Sequence, residues 1–293
     1  MKKQSVLLLT LLSLATAFTA ACGDSSSVPQ FTRLTFISGR TVSPSTPIFT
    51  AKLDGTSVTP VPSTATSLYY PSISIDAKTV AFYNQGDAWV QKADGTGVLN
   101  LTATTTSASE VNFVRISPNG KQVIFGENND QHFHVINVDG TGDTDITPTL
   151  PAGMTSCYSA GINASSTLIA FACSGGSNYG IYTMKFDGTG MKTVSATLTG
   201  WVDLPSFTPD GKKIVFIGDA SSAVDVESIN LDGSGDAVLV PNTFEAVVIN
   251  STLYYTFHDN TLGLNQVYKA NLDGTNAVSI SDGLHDDYVG QGQ

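Results

Sequence analysis

Leu53-Asp54-Gly55-Thr56 is a stretch that the chain repeats five more times. It returns as Ala93-Asp94-Gly95-Thr96, Val138-Asp139-Gly140-Thr141, Phe186-Asp187-Gly188-Thr189, Leu231-Asp232-Gly233-Ser234 and Leu272-Asp273-Gly274-Thr275. Successive aspartates stand 40, 45, 48, 45 and 41 residues apart. Self-similarity at such a period marks a repeat architecture. An Asp-Gly pair between two apolar runs is a hairpin signal, because Gly accepts the positive φ that a tight turn needs. Asp54, Asp94, Asp139, Asp187, Asp232 and Asp273 are therefore read as structural turn residues whose side chains cap backbone amides.

Working outward from Asp94, Tyr70 to Ile75 reads as a strand and Asp76-Ala77-Lys78 as a turn. Thr79-Val80-Ala81-Phe82 is a second strand, Asp87 to Lys92 a third, and Val98-Leu99-Asn100-Leu101 a fourth. Each repeat is then four short antiparallel strands with turn signals at the spacing of an all-β fold. The clearest copy is Pro205-Ser206-Phe207-Thr208-Pro209-Asp210-Gly211-Lys212-Lys213-Ile214-Val215-Phe216.

A strand, then Ser/Thr-Pro-Asp-Gly-Lys, then an apolar strand ending in Phe, then Asp-Gly-Thr, resembles the repeat of TolB-type β-propellers. The Gly-His and Trp-Asp signature of WD repeats is absent. The resemblance runs from Phe31 to the C-terminus. The Pro-Asp/Asn-Gly motif is clean at 118–120 and 209–211 and degenerate in three other copies. The first copy opens at Phe31-Thr32-Arg33-Leu34-Thr35-Phe36, which matches a second strand and lacks a first. Residues 286–293 follow the sixth copy where a first strand belongs. The expected fold is all-β: a six-bladed β-propeller of four-stranded antiparallel blades, closed by a C-terminal strand that completes blade one. Closure of that kind hides edge strands.

The chain has 293 residues, of which 41% are hydrophobic and 13% charged, and its formal net charge is −11. Such a surface repels nucleic acid and anionic lipid, so no nucleic-acid partner is expected. Lys2 and Lys3 precede an apolar run from Val6 to Phe18 that is short for a membrane span. Thr19-Ala20-Ala21-Cys22 follows and resembles the lipobox of a bacterial lipoprotein signal. That resemblance implies a signal peptide at 1–21, lipid attachment at Cys22, a flexible tether over 22–30 and the propeller over 31–293. The expected location is the bacterial cell envelope. The lipid is the one membrane contact, and the outer membrane, on either face, is favoured over the inner. Export implies oxidising surroundings, so Cys157 and Cys173 invite a disulfide across one hairpin, against the alternative of two buried thiols.

In a propeller, the Asp-Gly and Pro-Asp-Gly turns share one face. The opposite mouth carries the longer loops and the crossovers to the inner strands, and sites favour such segments. There the sequence places Tyr69, Tyr70, Glu110, Tyr158, Trp201, Asp203, Glu245, Asp286 and Asp287, aromatic groups alternating with carboxylates. Converging carboxylates suit a cation, an amine or a basic peptide, with aromatic rings for stacking. Against this stands a plain reading, in which the acids are solvated and the rings pack between blades. His132 and His134 alternate on one strand and form a possible ligand pair, but no third ligand can be placed, so no metal and no cofactor are assigned. The acid-rich stretch Asp139 to Asp145 lacks the spacing of a calcium loop. No Gly-x-Ser-x-Gly elbow and no phosphate loop occurs, so no catalytic residue is named. The first expectation is a monomeric, non-catalytic module that binds an envelope protein or peptide at one mouth. The alternatives are a propeller hydrolase or lyase acting on a small or glycan substrate in the funnel, and glycan capture without catalysis.

Overall fold

A computed structural model of the chain describes residues 30–40, 48–63, 68–103, 110–127, 132–219 and 223–290. The expected signal peptide, the expected lipid attachment at Cys22 and the expected tether up to residue 29 lie outside the described residues. The described residues form six four-stranded antiparallel sheets and no helix.

Blade two holds β4 (Leu68–Ile73), β5 (Thr79–Asn84), β6 (Asp87–Lys92) and β7 (Leu99–Asn100). Blade three holds β8 (Val111–Ile116), β9 (Gln122–Glu127), β10 (Phe133–Asn137) and β11 (Thr144–Asp145). Blade four is β12 (Ser156–Ile162), β13 (Leu168–Gly175), β14 (Asn178–Lys185) and β15 (Lys192–Leu198). Blade five is β16 (Val202–Phe207), β17 (Lys213–Gly218), β18 (Asp225–Asn230) and β19 (Ala237–Val240). Blade six is β20 (Thr243–Ile249), β21 (Thr252–Asp259), β22 (Leu264–Asn271) and β23 (Val278–Ser279). Blade one takes its inner strand from the far end of the chain: β24 (Asp287–Val289) lies beside β1 (Arg33–Ser38), β2 (Ile48–Lys52) and β3 (Thr59–Pro60). The seam is the antiparallel register Phe36↔Val289, Ile37↔Tyr288 and Ser38↔Asp287.

Both faces of each sheet are buried against a neighbouring blade. On β9, Val123 and Phe125 join the layer with blade two, while Ile124 between them joins the layer with blade four. Successive side chains of a strand point to opposite faces, so these runs have no polar alternation to show. Six such layers close the ring. The layer between blades six and one packs Val247, Tyr254 and Val267 against Leu34, Phe36, Phe49 and Val289. The fourth strand of blade two is shorter than the sequence implies. Only Leu99–Asn100 of the run 98–101 pairs, because the outermost strand is exposed on one edge and its chain soon leaves for the next blade.

The Asp-Gly turn has a second task. Asp54 Oδ1 accepts the Thr56 amide at 2.9 Å and the Thr56 hydroxyl at 2.6 Å. The same pair recurs at Asp94, Asp139, Asp187, Asp232 and Asp273. In five of the six turns the glycine then presses on the end of the preceding blade, while Gly140 meets only Leu99 at 3.5 Å. A Cβ on Gly274 (φ +79°) would fall 2.2 Å from the Leu239 carbonyl oxygen of blade five. At Gly55 (φ +85°) the neighbour is the Ile280 carbonyl of blade six, at 2.4 Å. Any side chain there would strain the turn and part the blades together. The repeated stretch is thus a clasp between blades as well as a hairpin, and at Gly55 it clasps the closing seam.

Cys157 and Cys173 are bridged by a disulfide. They pair directly across β12 and β13, with Cα atoms 3.9 Å apart, inside the layer between blades three and four. The bridge spans a sequence separation of 16 residues. Closing a loop of that size stabilises by about 3 kcal/mol through the unfolded chain. The double variant Cys157→Ala/Cys173→Ala is expected to lose about that much in denaturant unfolding. An unchanged midpoint would show that the bridge adds nothing.

Candidate functional site at the channel mouth

The inner strands β4, β8, β12, β16, β20 and β24 line the central channel. Five of them break register against their partners near the mouth: at Tyr69/Ser72, Val111/Phe113, Tyr158/Ala160, Asp203/Ser206 and Thr243/Glu245. Tyr70, Ser159 and Leu204 adopt φ of 53°, 42° and 51° within these bulges. Left-handed backbone at a non-glycine residue costs about 1–3 kcal/mol and persists where its surroundings enforce it. Here a serine ladder does so. Ser72 Oγ accepts the Ile116 amide at 2.7 Å, Ser159 Oγ the Leu204 amide at 3.2 Å, and Ser206 Oγ the Val248 amide at 3.1 Å. Each contact ties one inner strand to the next, and the bulges re-aim side chains that a regular strand would place by strict alternation.

Four blades meet at one buried charge. Arg115 on β8 is 1% exposed, and its Nη1 donates to the Val114 carbonyl at 2.8 Å. Burial holds its pKa down to about 10, and the charges of Asp203, Tyr70 and Glu245 oppose that fall. These three come from blades five, two and six. Asp203 is pushed up by burial, against the Ser159 hydroxyl, the Leu204 amide and the Arg115 guanidinium. Its Oδ1 accepts the Leu204 amide at 2.7 Å. Glu245 Oε2 accepts the Thr256 hydroxyl at 3.3 Å. The Tyr70 hydroxyl is pushed up by burial and then by Asp203. Tyr70 packs with Tyr69 and Tyr83, the three ring centroids 6.1–6.4 Å apart. Above this floor the mouth exposes Tyr69 at 52% and Phe244 at 51%, with Glu110 also open to solvent.

The residues expected at the mouth therefore divide. Tyr70, Asp203 and Glu245 converge, and Tyr69 and Glu110 sit on the rim. Tyr158 packs between blades four and five, its hydroxyl donating to the Val202 carbonyl at 3.0 Å. Burial, then Asp203, pushes that hydroxyl up. Trp201 packs on the layer between blades five and six. Asp286 and Asp287 hold the seam instead. Asp286 Oδ1 accepts the Asn265 amide at 2.8 Å, and Asp287, 1% exposed, pairs with Arg40 Nη1 at 2.6 Å. Arg115 is the member that the sequence reading missed. It occupies the inner-strand place held by Ser72, Gly161, Ser206 and Val248 in the other blades, and that exchange of a small or aliphatic residue for arginine was the available signal. None of the four histidines belongs to this group: His132 and His134 lie on the outer half of blade three, His258 contacts Asn265, and His285 contacts Asp282.

No protein-family model and no curated protein sequence matches the chain. Solved structures do. TolB from Acinetobacter baumannii matches with a TM-score of 0.67 at 15% identity, over 89% of this chain and 67% of that one. A chain in a nidogen/laminin complex matches with a TM-score of 0.65 at 13% identity, over 88% and 98% of the two chains. An oligogalacturonate lyase in complex with manganese matches with a TM-score of 0.57 at 12% identity, over 85% and 73%. At these identities the likeness is one of fold: a six-bladed, TolB-like β-propeller.

Proposed function

We propose that this propeller is an envelope-anchored, non-catalytic module that binds a protein or peptide segment at the crossover mouth. The observation that carries the reading is the mouth itself. A rim of exposed aromatic rings, Tyr69 and Phe244, stands over a floor where Asp203 and Glu245 face a buried arginine. Rings offer rigid apolar contact area, and the fixed charges below orient a polar or basic group presented by the partner. The nidogen/laminin match is a propeller seen in a protein complex, which agrees with this use of the fold. The lipobox-like segment at 19–22 supports anchoring through Cys22. At about 3.3 Å per residue, the stretch 23–30 keeps the disc within a few tens of ångströms of its membrane.

The test is site-specific photocrosslinking in native envelopes. Crosslinkers at positions 69 and 244 are expected to capture one defined protein, and one at position 96 on the Asp-Gly face is not. Asp203→Asn with Glu245→Gln keeps side-chain shape and is expected to weaken that partner at least tenfold. Equal capture from position 96, or unaltered affinity of the double variant, would refute mouth binding.

One observation favours a second reading, catalysis on a small or glycan substrate. A carboxyl group raised by burial beside a guanidinium in a channel is an arrangement that enzymes use for proton transfer. Turnover of an oligosaccharide by the purified protein, abolished by Asp203→Asn alone, would establish this reading over the first.

A further inference from the structure

Blade three departs from its sisters on its outer half. Counting five residues back from each turn aspartate gives Phe49, Trp89, His134, Tyr182, Glu227 and Tyr268. Four blades place an aromatic ring there, and blade three places an imidazole. It keeps the stacking, since the His134 ring lies over Phe125 at 5.1 Å with planes 10° apart. It adds a second imidazole two residues earlier, on the same face of the strand. The His132 and His134 rings are 6.1 Å apart and 24° from parallel. Opposite them, past the Asp-Gly turn, the chain carries Asp143 and Asp145. Asp145 lies directly across from His134 in the ladder of β10 with β11.

We infer that His132, His134 and Asp145 form a site for a first-row divalent transition metal, with Zn²⁺ as the best fit. One donor atom from each lies within 4.8 Å of the other two. An ion with bonds of about 2.0–2.2 Å needs such atoms to draw in toward one another. Exposed side chains can make that adjustment: His132 is 44% exposed and Asp145 49%, so an ion also has a path in. Imidazole nitrogen with one carboxylate suits zinc, copper or nickel rather than calcium or magnesium, which take oxygen donors.

The surroundings are those of a ligand set rather than of a loose surface pair. His134 Nδ1 is 2.9 Å from Asp143 Oδ1, which fixes the ring and leaves Nε2 to bind. A carboxylate behind a histidine orients the ligand and raises its basicity. His132 Nδ1 is 2.9 Å from Asp145 Oδ2. Asp145 Oδ1 is itself held by the Thr147 amide and hydroxyl. The acid is thus positioned before any ion arrives. Three protein donors leave a fourth position for water, the pattern of an open site. Blade five lacks the set: Asp236 stands where Asp143 does, but Asp225 and Glu227 replace the two histidines and Val238 replaces Asp145.

Titrating the purified full-length protein with Zn²⁺ in a calorimeter is expected to show one equivalent bound. His132→Ala, His134→Ala and Asp145→Asn should each weaken binding at least tenfold, while His285→Ala, remote from the cluster, leaves it intact. Cu²⁺ added instead should give an electron paramagnetic resonance spectrum with coupling to two imidazole nitrogens, reduced to one in either histidine variant. Circular dichroism of each variant checks that the propeller is retained. Absence of Zn²⁺ binding, binding that survives both histidine substitutions, or loss of binding in His285→Ala would overturn the assignment.

Discussion

A chain truncated after His285 is expected to unfold several kcal/mol more easily than the full protein, or to fail to fold. The reason lies in what β24 does for blade one. It supplies the inner strand, and without it β1 presents an unpaired edge to the channel. It supplies Val289, 2% exposed in the layer with blade six. Burying a valine contributes about 1.5–3 kcal/mol. It also supplies Asp287. Arg40 Nη1 and Nη2 meet that carboxylate at 2.6 and 3.1 Å, and Nε and Nη2 meet Asp282 at 3.2 and 2.7 Å. The guanidinium lies 5.3 Å from the centre of the Phe36 ring and 5.7 Å from that of Phe49. Arg40 is therefore a bolt across the seam, seated on blade one and fixed to the terminal segment. Breaking a buried pair by removing one partner costs about 3–5 kcal/mol, because the remaining charge is stranded. Asp287→Asn isolates that part: it should lower stability by about 3 kcal/mol in urea while leaving the strand in place. Thermal and urea unfolding of both variants give the comparison. A truncated chain that melts with the full-length protein would mean that the ring does not close through β24.

The elements of this fold are legible because their signals are local. Asp54 to Thr56 and its five copies mark hairpins by turn chemistry, and their spacing counts the blades. The missing first strand of the first copy and the surplus segment at the end point to the closure for the same reason. The site is less legible because its contacts cross the ring. Tyr70, Arg115, Asp203 and Glu245 meet from four blades, and no periodicity within one repeat encodes that meeting. The left-handed backbone at Tyr70 and Leu204 is equally silent in the sequence, since neither residue is a type that favours positive φ. Asp286 and Asp287 illustrate the converse. Their place in the repeat puts them at an inner-strand end, but Arg40, about 250 residues earlier in sequence, reaches over to claim Asp287 for the seam. His132 and His134 could be paired from their spacing, whereas Asp145 becomes their neighbour only once β10 and β11 are in register.

Glu227 gives the protein a stability that falls as the medium turns alkaline. It fills the position where four blades carry an aromatic ring, and it is 4% exposed. Its Oε1 packs over Gly218, where a Cβ would come within 2.5 Å. Burial, then Asp236, Asp225 and Asp219, push its carboxyl up to about 7 from an ordinary value of 4.5. None of these leading contributions comes from a cation. The folded chain therefore keeps a proton that the unfolded chain releases above pH 4.5. The sign follows from linkage: stability falls with pH wherever the folded state binds more protons. The contribution is whole below pH 4.5 and is lost progressively as pH rises through about 7. A shift of this size corresponds to about 3 kcal/mol. That is an upper figure, because the side chain, though closed to solvent, lies on the outer half of its blade with few atoms beyond it. The carboxylates of the six turns are held low and titrate below this window, so they do not mask the trend. Asp203, raised by burial, acts in the same direction, so the comparison must be with a variant at Glu227 alone. Glu227→Gln keeps the shape and supplies a neutral donor to Asp236 at every pH. It should match the parent at pH 5 and exceed it by up to about 3 kcal/mol at pH 8 in urea unfolding. Parallel stability curves for the two proteins between pH 5 and pH 8 would show that Glu227 is ionised in the folded state, with its charge met by a partner.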